Sequence, residues 1–159
     1  MGNESVIAYL NEIVRAQSTF ADRYRLDARI LAGWSYGELA ERSQRQFGIG
    51  NRRTEALAQR ILALGGIPVA GRSVFPRAAE SARELLDDQL RSERAALSGL
   101  HNAVTAARMA GDSESCELFE TILGEREDQV DWLEGQMYTI HELGIENYLA
   151  AQRRGGQGA

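Results

Sequence analysis

The sequence predicts an all-α fold: a four-helix bundle with a long crossover between the second and third helices and a short fifth helix. Four long stretches place apolar residues at helical spacing, and a glycine stands near the end of each. Both prolines, Pro68 and Pro76, lie in one stretch of loop composition at 65–78. Helix-breaking residues are therefore concentrated where the chain must cross the bundle.

The order of the elements follows from the links between them. Short links after the first and third helices predict antiparallel neighbours, whereas the long link after the second can run the length of the bundle. A single domain over residues 1–152 is expected, because a chain of 159 residues can bury one core without a staple. The predicted helices span 5–33, 36–64, 79–110, 114–142 and 145–152, followed by a disordered tail at 153–159.

Composition narrows the class of protein. The net charge is −5, which argues against a nucleic-acid partner, although all 18 basic residues are arginine. One cysteine, Cys116, excludes an internal disulfide and suggests a reducing compartment. The first ten residues lack the features of a signal peptide, and no apolar run is long enough to span a bilayer. We therefore expect a cytoplasmic protein with no membrane partner.

Each long helix carries polar residues in the middle of its apolar stripe. A single such residue is most often a long side chain with its polar end in water, but four helices with the same feature suggest a polar layer inside the bundle. The residues are Gln17 in the first helix, Arg53 in the second with Gly50 one turn earlier, Glu93 in the third, and Arg126 and Gln129 in the fourth.

Two glycines, Gly48 and Gly50, lie in the second of these helical stretches. A glycine-rich phosphate loop would need a preceding strand, and the residues before Phe47 are polar and helical in composition. Each glycine in a helix interior costs about 1 kcal/mol relative to alanine. The pattern therefore favours a packing or site-related reason for Gly50 over a phosphate site.

The chain resembles the bacterioferritin family from Val6 to Gln152. The resemblance is carried by five segments: VIAYLNEI at 6–13, RILALGGIP at 60–68, LLDDQLRSE at 85–93, VDWLE at 130–134 and GIENYLAAQ at 144–152. It implies a ferritin-like bundle that assembles into a hollow shell of twenty-four subunits. In that family each bundle oxidises Fe(II) at a diiron site, the shell stores ferric mineral, and methionines from two subunits hold a haem.

Carried over to this sequence, the resemblance implies that most of these iron-related positions have changed. The six diiron-ligand positions fall on Gln17, Gly50, Arg53, Glu93, Arg126 and Gln129, so one carboxylate ligand is retained. The haem-ligand position falls on Asn51, and two iron positions on the inner surface of the shell fall on Arg45 and Ile49. We therefore expect no diiron centre, no haem and no other bound metal, while a ferric mineral remains possible inside an assembled shell.

The changed positions suggest a compensated charge cluster. We expect Arg53 and Arg126 to flank Glu93, with Gln17 and Gln129 supplying hydrogen bonds. Gly50 is expected to make room for an arginine side chain.

The remaining candidate residues are assigned to packing or to the surface. Tyr24 matches a family tyrosine near the diiron site and is interpreted as a packing residue, and Cys116 as a small buried hydrophobe. Trp34 and Trp132 are expected to anchor core or interfaces. Surface or solvated positions are expected for Glu125, Glu127 and Asp128, and surface or packing positions for His101 and His141.

The leading hypothesis is a shell subunit for iron storage with an inactive ferroxidase site, which forms a homo-oligomer or co-assembles with an active bacterioferritin subunit. One alternative is a structural cage or dimer that does not handle iron. The other is an anion-binding protein or an enzyme of different chemistry that uses the arginine-lined cavity.

Overall fold

The computed structural model describes residues 2–69 and 79–153, and within them the prediction of an all-α bundle with a short fifth helix is confirmed. The central part of the predicted crossover, residues 70–78, and the predicted tail beyond residue 153 lie outside the described residues. The helices are α1 Gly2–Gly33, α2 Gly37–Ala63, α3 Ala82–Met109, α4 Ser113–Leu143 and α5 Ile145–Gln152. None of these helices is long and apolar enough to cross a bilayer.

The helix ends are set by local hydrogen bonds. The Ser81 side chain accepts a bond from the Glu84 backbone N–H at 3.1 Å, and the Glu84 carboxylate accepts one from the Glu80 N–H at 3.0 Å. This cap places the start of α3 at Ala82, three residues later than predicted. Asp112 caps α4 by accepting from the Ser115 N–H at 3.0 Å. Gly144, with φ of +78°, turns the chain sharply from α4 into α5.

Two apolar clusters fill the bundle, one at each end. The first joins the start of α1 and the end of α2 to the end of α3 and the start of α4, through residues that include Leu10, Ile61, Leu100 and Phe119. The second joins the opposite ends of the same helices, and Tyr148 of α5 packs against it. Because α2 ends in the first cluster and α3 begins in the second, the connection between them spans the length of the bundle.

The start of the crossover region and the end of the chain's described part, around α5, are held by specific contacts. Asn11 on α1 accepts a hydrogen bond from the Val69 backbone N–H at 2.9 Å, which pins the start of the crossover. Tyr148 is buried, and its hydroxyl donates to the side-chain oxygen Oε1 of Gln136 at 2.6 Å. Arg153, which the prediction placed in the tail, has its guanidinium 5.5 Å from the centre of the Tyr36 ring.

Gly50 lies on the side of α2 that packs against Ala21 of α1. A methyl group added at Gly50 would meet the Ala21 Cβ at 3.3 Å and the Ala21 Cα at 3.6 Å. The expectation that Gly50 makes room for an arginine is therefore wrong, because the missing side chain makes room for the α1 backbone and Ala21. The cost of a glycine in a helix is offset by packing of the two helices.

We expect Gly50→Leu to destabilise the fold by about 1–3 kcal/mol, because a larger side chain forces α1 away from α2. Gly124→Leu is the matched control, since Gly124 is an exposed helical glycine with nothing within 4 Å of an added Cβ. The control should be neutral or stabilising by up to about 1 kcal/mol. Melting temperatures from circular dichroism compare the two variants, and equal shifts would contradict the close-packing role of Gly50.

Candidate functional site

A buried polar layer lies between the two apolar clusters, at about the middle of the helices. Four of the residues predicted to enter the core are there: Gln17 from α1, Glu93 from α3, and Arg126 and Gln129 from α4. Tyr24, about two turns beyond Gln17 on α1, joins them and is also buried. Each of these side chains comes from a position that the helical period directs into the bundle.

Glu93 is the centre of this layer and is fully buried. Its Oε1 accepts two hydrogen bonds, from the Tyr24 hydroxyl at 2.6 Å and from Arg126 Nη1 at 2.7 Å. Its Oε2 is buried and has no hydrogen-bond partner. Burial raises the pKa of Glu93, and the opposing effect of Arg126 and the Tyr24 hydrogen bond is smaller. The carboxylate is thus held through one oxygen only.

Arg126 is the only arginine that contacts Glu93 among the described residues. Its Nη2 donates to the Gln17 carbonyl oxygen, and its guanidinium lies 3.9 Å from the centre of the Phe20 ring. These contacts use two of the five N–H donors of the guanidinium. Arg126 is 6% exposed, and it lines a cavity between α1 and α3.

The network continues from Tyr24 toward α2. Gln129 Nε2 donates to the Tyr24 hydroxyl at 3.1 Å, and Arg42 donates to the Gln129 carbonyl oxygen through Nε at 3.1 Å and Nη2 at 2.8 Å. Burial, followed by the negative charge of Glu93, raises the pKa of Tyr24, so its hydroxyl stays protonated. Every step from Arg42 inward therefore donates toward Glu93.

Arg42 forms the outer end of this network. It is half-buried, and its guanidinium lies 4.6 Å from the centre of the Trp132 ring. Burial and the nearby charge of Arg45 lower the pKa of Arg42. Sequence reasoning missed Arg42, although its position three residues after Leu39 could have placed it beside the apolar stripe.

A second buried polar group lies next to the first, and the sequence analysis did not find it. Gln89 Nε2 donates to Asp27 Oδ2 at 2.9 Å, and Arg23 Nε lies 3.5 Å from the same carboxylate oxygen. Ser43 Oγ is 3.5 Å from Gln89 Nε2. Burial raises the pKa of Asp27, and the contacts with Gln89 and Arg23 oppose it. Asp27 follows Tyr24 by three residues, which is the signal that could have placed it on the buried face.

The structure corrects the predicted position of Arg53. Arg53 does not reach Glu93, and it pairs instead with Glu125, in a contact where the two side chains are 30% and 28% exposed. Glu125 is therefore half-buried rather than fully solvated, while Glu127 and Asp128 are exposed as expected. The predicted cluster of two arginines around Glu93 is wrong, because α2 directs Arg53 to the side of α4 and away from α3.

The other predicted residues lie near the surface or in packing positions. Asn51 and Arg45 are exposed on α2, and Ile49 is half-buried. Cys116 is buried, as expected. The interpretation of Tyr24 as a packing residue is incomplete, because its hydroxyl also donates a hydrogen bond to Glu93. Two further sets match their expected positions: His101 and His141 are exposed, and Trp34 and Trp132 are half-buried.

Comparison with known proteins places this bundle in a family. Residues 7–143 match the ferritin-like domain family. The chain is 32% identical to a bacterioferritin of Mycobacterium avium over 149 residues, which covers 94% of each chain. The chain belongs to the bacterioferritin family. It is also 29% identical to a bacterial ferritin of Pseudomonas aeruginosa over 153 residues, 95% of this chain and 98% of the relative.

The structural comparison agrees with the sequence comparison. The structure matches Mycobacterium tuberculosis bacterioferritin, BfrA, with a TM-score of 0.88 and 29% identity, over 92% of each chain. Within residues 2–69 and 79–153 of this bacterioferritin-family chain, no three His, Cys, Asp or Glu side chains are placed to hold a metal ion together. The polar groups around the Glu93 carboxylate are a phenol, two amides and a guanidinium. This set does not fit a diiron centre, which needs several carboxylate and imidazole ligands.

We expect Arg126→Gln to cost more stability than Glu93→Gln at neutral pH. Glu93→Gln leaves the buried Arg126 guanidinium without its counter-charge, but the amide oxygen can still accept hydrogen bonds from Tyr24 and Arg126, and Arg126 keeps its contacts with Gln17 and Phe20. This change should therefore cost less, about 1–3 kcal/mol. Arg126→Gln leaves a buried carboxylate with one donor, and breaking a buried pair in this way costs about 3–5 kcal/mol. Denaturation with guanidine measures the free energy of unfolding of both variants. Arg53→Gln is the control: Arg53 belongs to a partly exposed ion pair, so its loss should cost at most about 1 kcal/mol.

The Glu93 carboxyl should make the stability of the protein depend on pH. Burial raises the pKa of Glu93 in the folded state above its ordinary value of 4.5, so folding favours the protonated form. The stability of the wild type relative to Glu93→Gln is therefore greatest below about pH 4.5 and falls as the pH rises through the folded-state pKa. A wild type that gained stability over Glu93→Gln across that range would contradict the assignment.

Proposed function

We propose that the chain is a cytoplasmic subunit of a bacterioferritin-type iron-storage shell whose own bundle does not oxidise Fe(II). The observation that carries this proposal is the ion pair between Arg126 and Glu93 at the centre of the bundle. Family membership and the ferritin-like bundle support the shell, and the chemistry of this pair supports a silent site.

The residues in the polar layer are poor partners for iron. Arginine has no acceptor atom and stays protonated at any relevant pH, so a guanidinium 2.7 Å from Glu93 takes up the charge that a cation would otherwise meet. The resemblance assigns six diiron-ligand positions to this chain, and Glu93 is the one carboxylate among them. Gln17 and Gln129 are hydrogen-bonded to Arg126 and Tyr24, so the side chains at these two former ligand positions are already engaged within the layer.

The parts of the bundle outside the polar layer support assembly. The resemblance places the fifth helix at the four-fold pores of the shell, and α5 here packs onto the end of the bundle through buried Tyr148. A subunit of this kind would contribute wall and cavity volume for ferric mineral, while an active bacterioferritin subunit in the same shell oxidises the Fe(II). The proposal therefore includes co-assembly with an active relative.

We expect the purified protein to oxidise Fe(II) no faster than the buffer, because one carboxylate and one guanidinium replace the anionic donors of a diiron site. Co-expression with an active bacterioferritin should give mixed shells in which the Fe(II) oxidation rate scales with the active fraction. Size-exclusion chromatography measures assembly, and the absorbance of the ferric product measures the rate of Fe(II) oxidation. Stoichiometric Fe(II) oxidation that Glu93→Ala abolishes would contradict the silent site. A protein that stays monomeric or dimeric, both alone and after co-expression, would favour a structural protein that does not handle iron.

We also expect the protein to lack haem when isolated. The position that the resemblance assigns to the haem methionine is Asn51, whose amide does not replace a thioether as an axial ligand. Asn51 is exposed on α2. An absorbance spectrum of the protein, and of a haem-binding relative purified in parallel, tests this expectation, and a Soret band at one haem per two subunits would contradict it.

A further inference from the structure

A cavity of about 270 Å³ lies between α1 and α3 on the side of Phe20 toward Glu12. It exists because the facing positions carry small residues, among them Ala16 on α1 and Ala96 and Gly99 on α3. Exposed Glu12, Ala95 and Ser98 form its rim, whereas buried Leu100 and Arg126 form part of its floor. A cavity of about 150 Å³ is enough to hold a benzene ring, so this one can admit a ring with a polar substituent.

Two deeply buried polar side chains line the floor of this cavity. Gln17 is 2% exposed and Arg126 is 6% exposed, and both belong to the lining. The guanidinium uses two of its five N–H donors on Glu93 and Gln17, which leaves three for a ligand. The surfaces beside it are apolar, with Ile13 and Phe20 in the walls and Leu100 in the floor. The floor therefore offers charged donors and the walls offer apolar contact.

We propose that this cavity, which we call the α1–α3 cavity, binds a small monocarboxylate with an aromatic or branched apolar body. The carboxylate would accept hydrogen bonds from Arg126, and the apolar body would lie against Ile13, Phe20 and Leu100. This proposal is independent of the iron function, because it concerns a ligand of the isolated subunit.

The charges around the α1–α3 cavity give the ligand an orientation. Glu12 at the rim repels a carboxylate near the surface, whereas Arg126 attracts it at the floor. Glu93 accepts a hydrogen bond from Arg126 through one oxygen only, and burial raises the pKa of Glu93. A monocarboxylate therefore enters with its apolar body toward the rim and its charge toward the floor. Arg53 plays no part in this site, since it pairs with Glu125.

Benzoate is the probe, and benzamide is its neutral counterpart of the same shape. Isothermal titration calorimetry of the purified wild-type protein should show benzoate binding in the millimolar range or tighter, and benzamide binding at least about tenfold more weakly. Glu12→Gln removes the negative charge at the rim, so it should tighten benzoate binding a few-fold and leave benzamide binding unchanged.

Two variants locate the site. Gly99→Leu fills the cavity with a side chain, and an added Cβ at Gly99 meets only Glu12 Oε1 at 3.8 Å, so the helix tolerates it. Gly135→Leu is the matched control, because Gly135 is an exposed helical glycine far from the cavity lining, with nothing near an added Cβ. Gly99→Leu should abolish benzoate binding, and Gly135→Leu should leave it unchanged.

The carboxylate contact has its own test. Arg126→Gln in the Glu93→Gln background removes both charges together, so the buried pair stays neutral, and circular dichroism checks that the bundle is folded. Benzoate affinity should fall at least about tenfold in this double variant while benzamide affinity stays the same. Absence of benzoate binding to the wild type, equal affinity for benzamide, or unchanged binding in either Gly99→Leu or the double variant would overturn the proposal.

Discussion

The ion pair between Glu93 and Arg126 governs the middle of the bundle, because neither charge can be left alone at that depth. Moving an isolated carboxylate or guanidinium out of water costs several kcal/mol, and mutual attraction offsets this only with close geometry and further hydrogen bonds. Tyr24 and Gln17 supply those bonds, one to each partner. Three helices must therefore keep their relative rotation and register for the layer to remain paired.

This constraint explains why the bundle has two apolar clusters instead of one continuous core. The clusters supply the free energy of burial at each end, at about 1.5–3 kcal/mol for each large side chain. The polar layer between them contributes little net stability but penalises any shift in which a donor loses its acceptor. Close contact of Gly50 with Ala21 fixes α1 against α2 at the same level, so packing and hydrogen bonding enforce one arrangement.

The arrangement of charge in the layer also shapes what the bundle can bind. Arg126 uses two of its five N–H donors on Glu93 and Gln17, so its guanidinium can still donate to an acceptor group. The small residues between α1 and α3 open a path to Arg126 from the surface. The bundle as a whole retains the architecture of its bacterioferritin relative, with a TM-score of 0.88 over 92% of the chain, although its central polar layer contains an arginine.

The sequence by itself determined the helices and four of the buried polar residues, because a helical period is a local property that fixes which side chains share a face. Gln17, Glu93, Arg126 and Gln129 were found in this way. Only the tertiary structure decided that Arg126, and not Arg53, pairs with Glu93, that the Tyr24 hydroxyl completes the layer, and that Gly50 serves helix contact. These features depend on the distance and rotation between helices, which packing of all four helices together sets and no single stripe encodes.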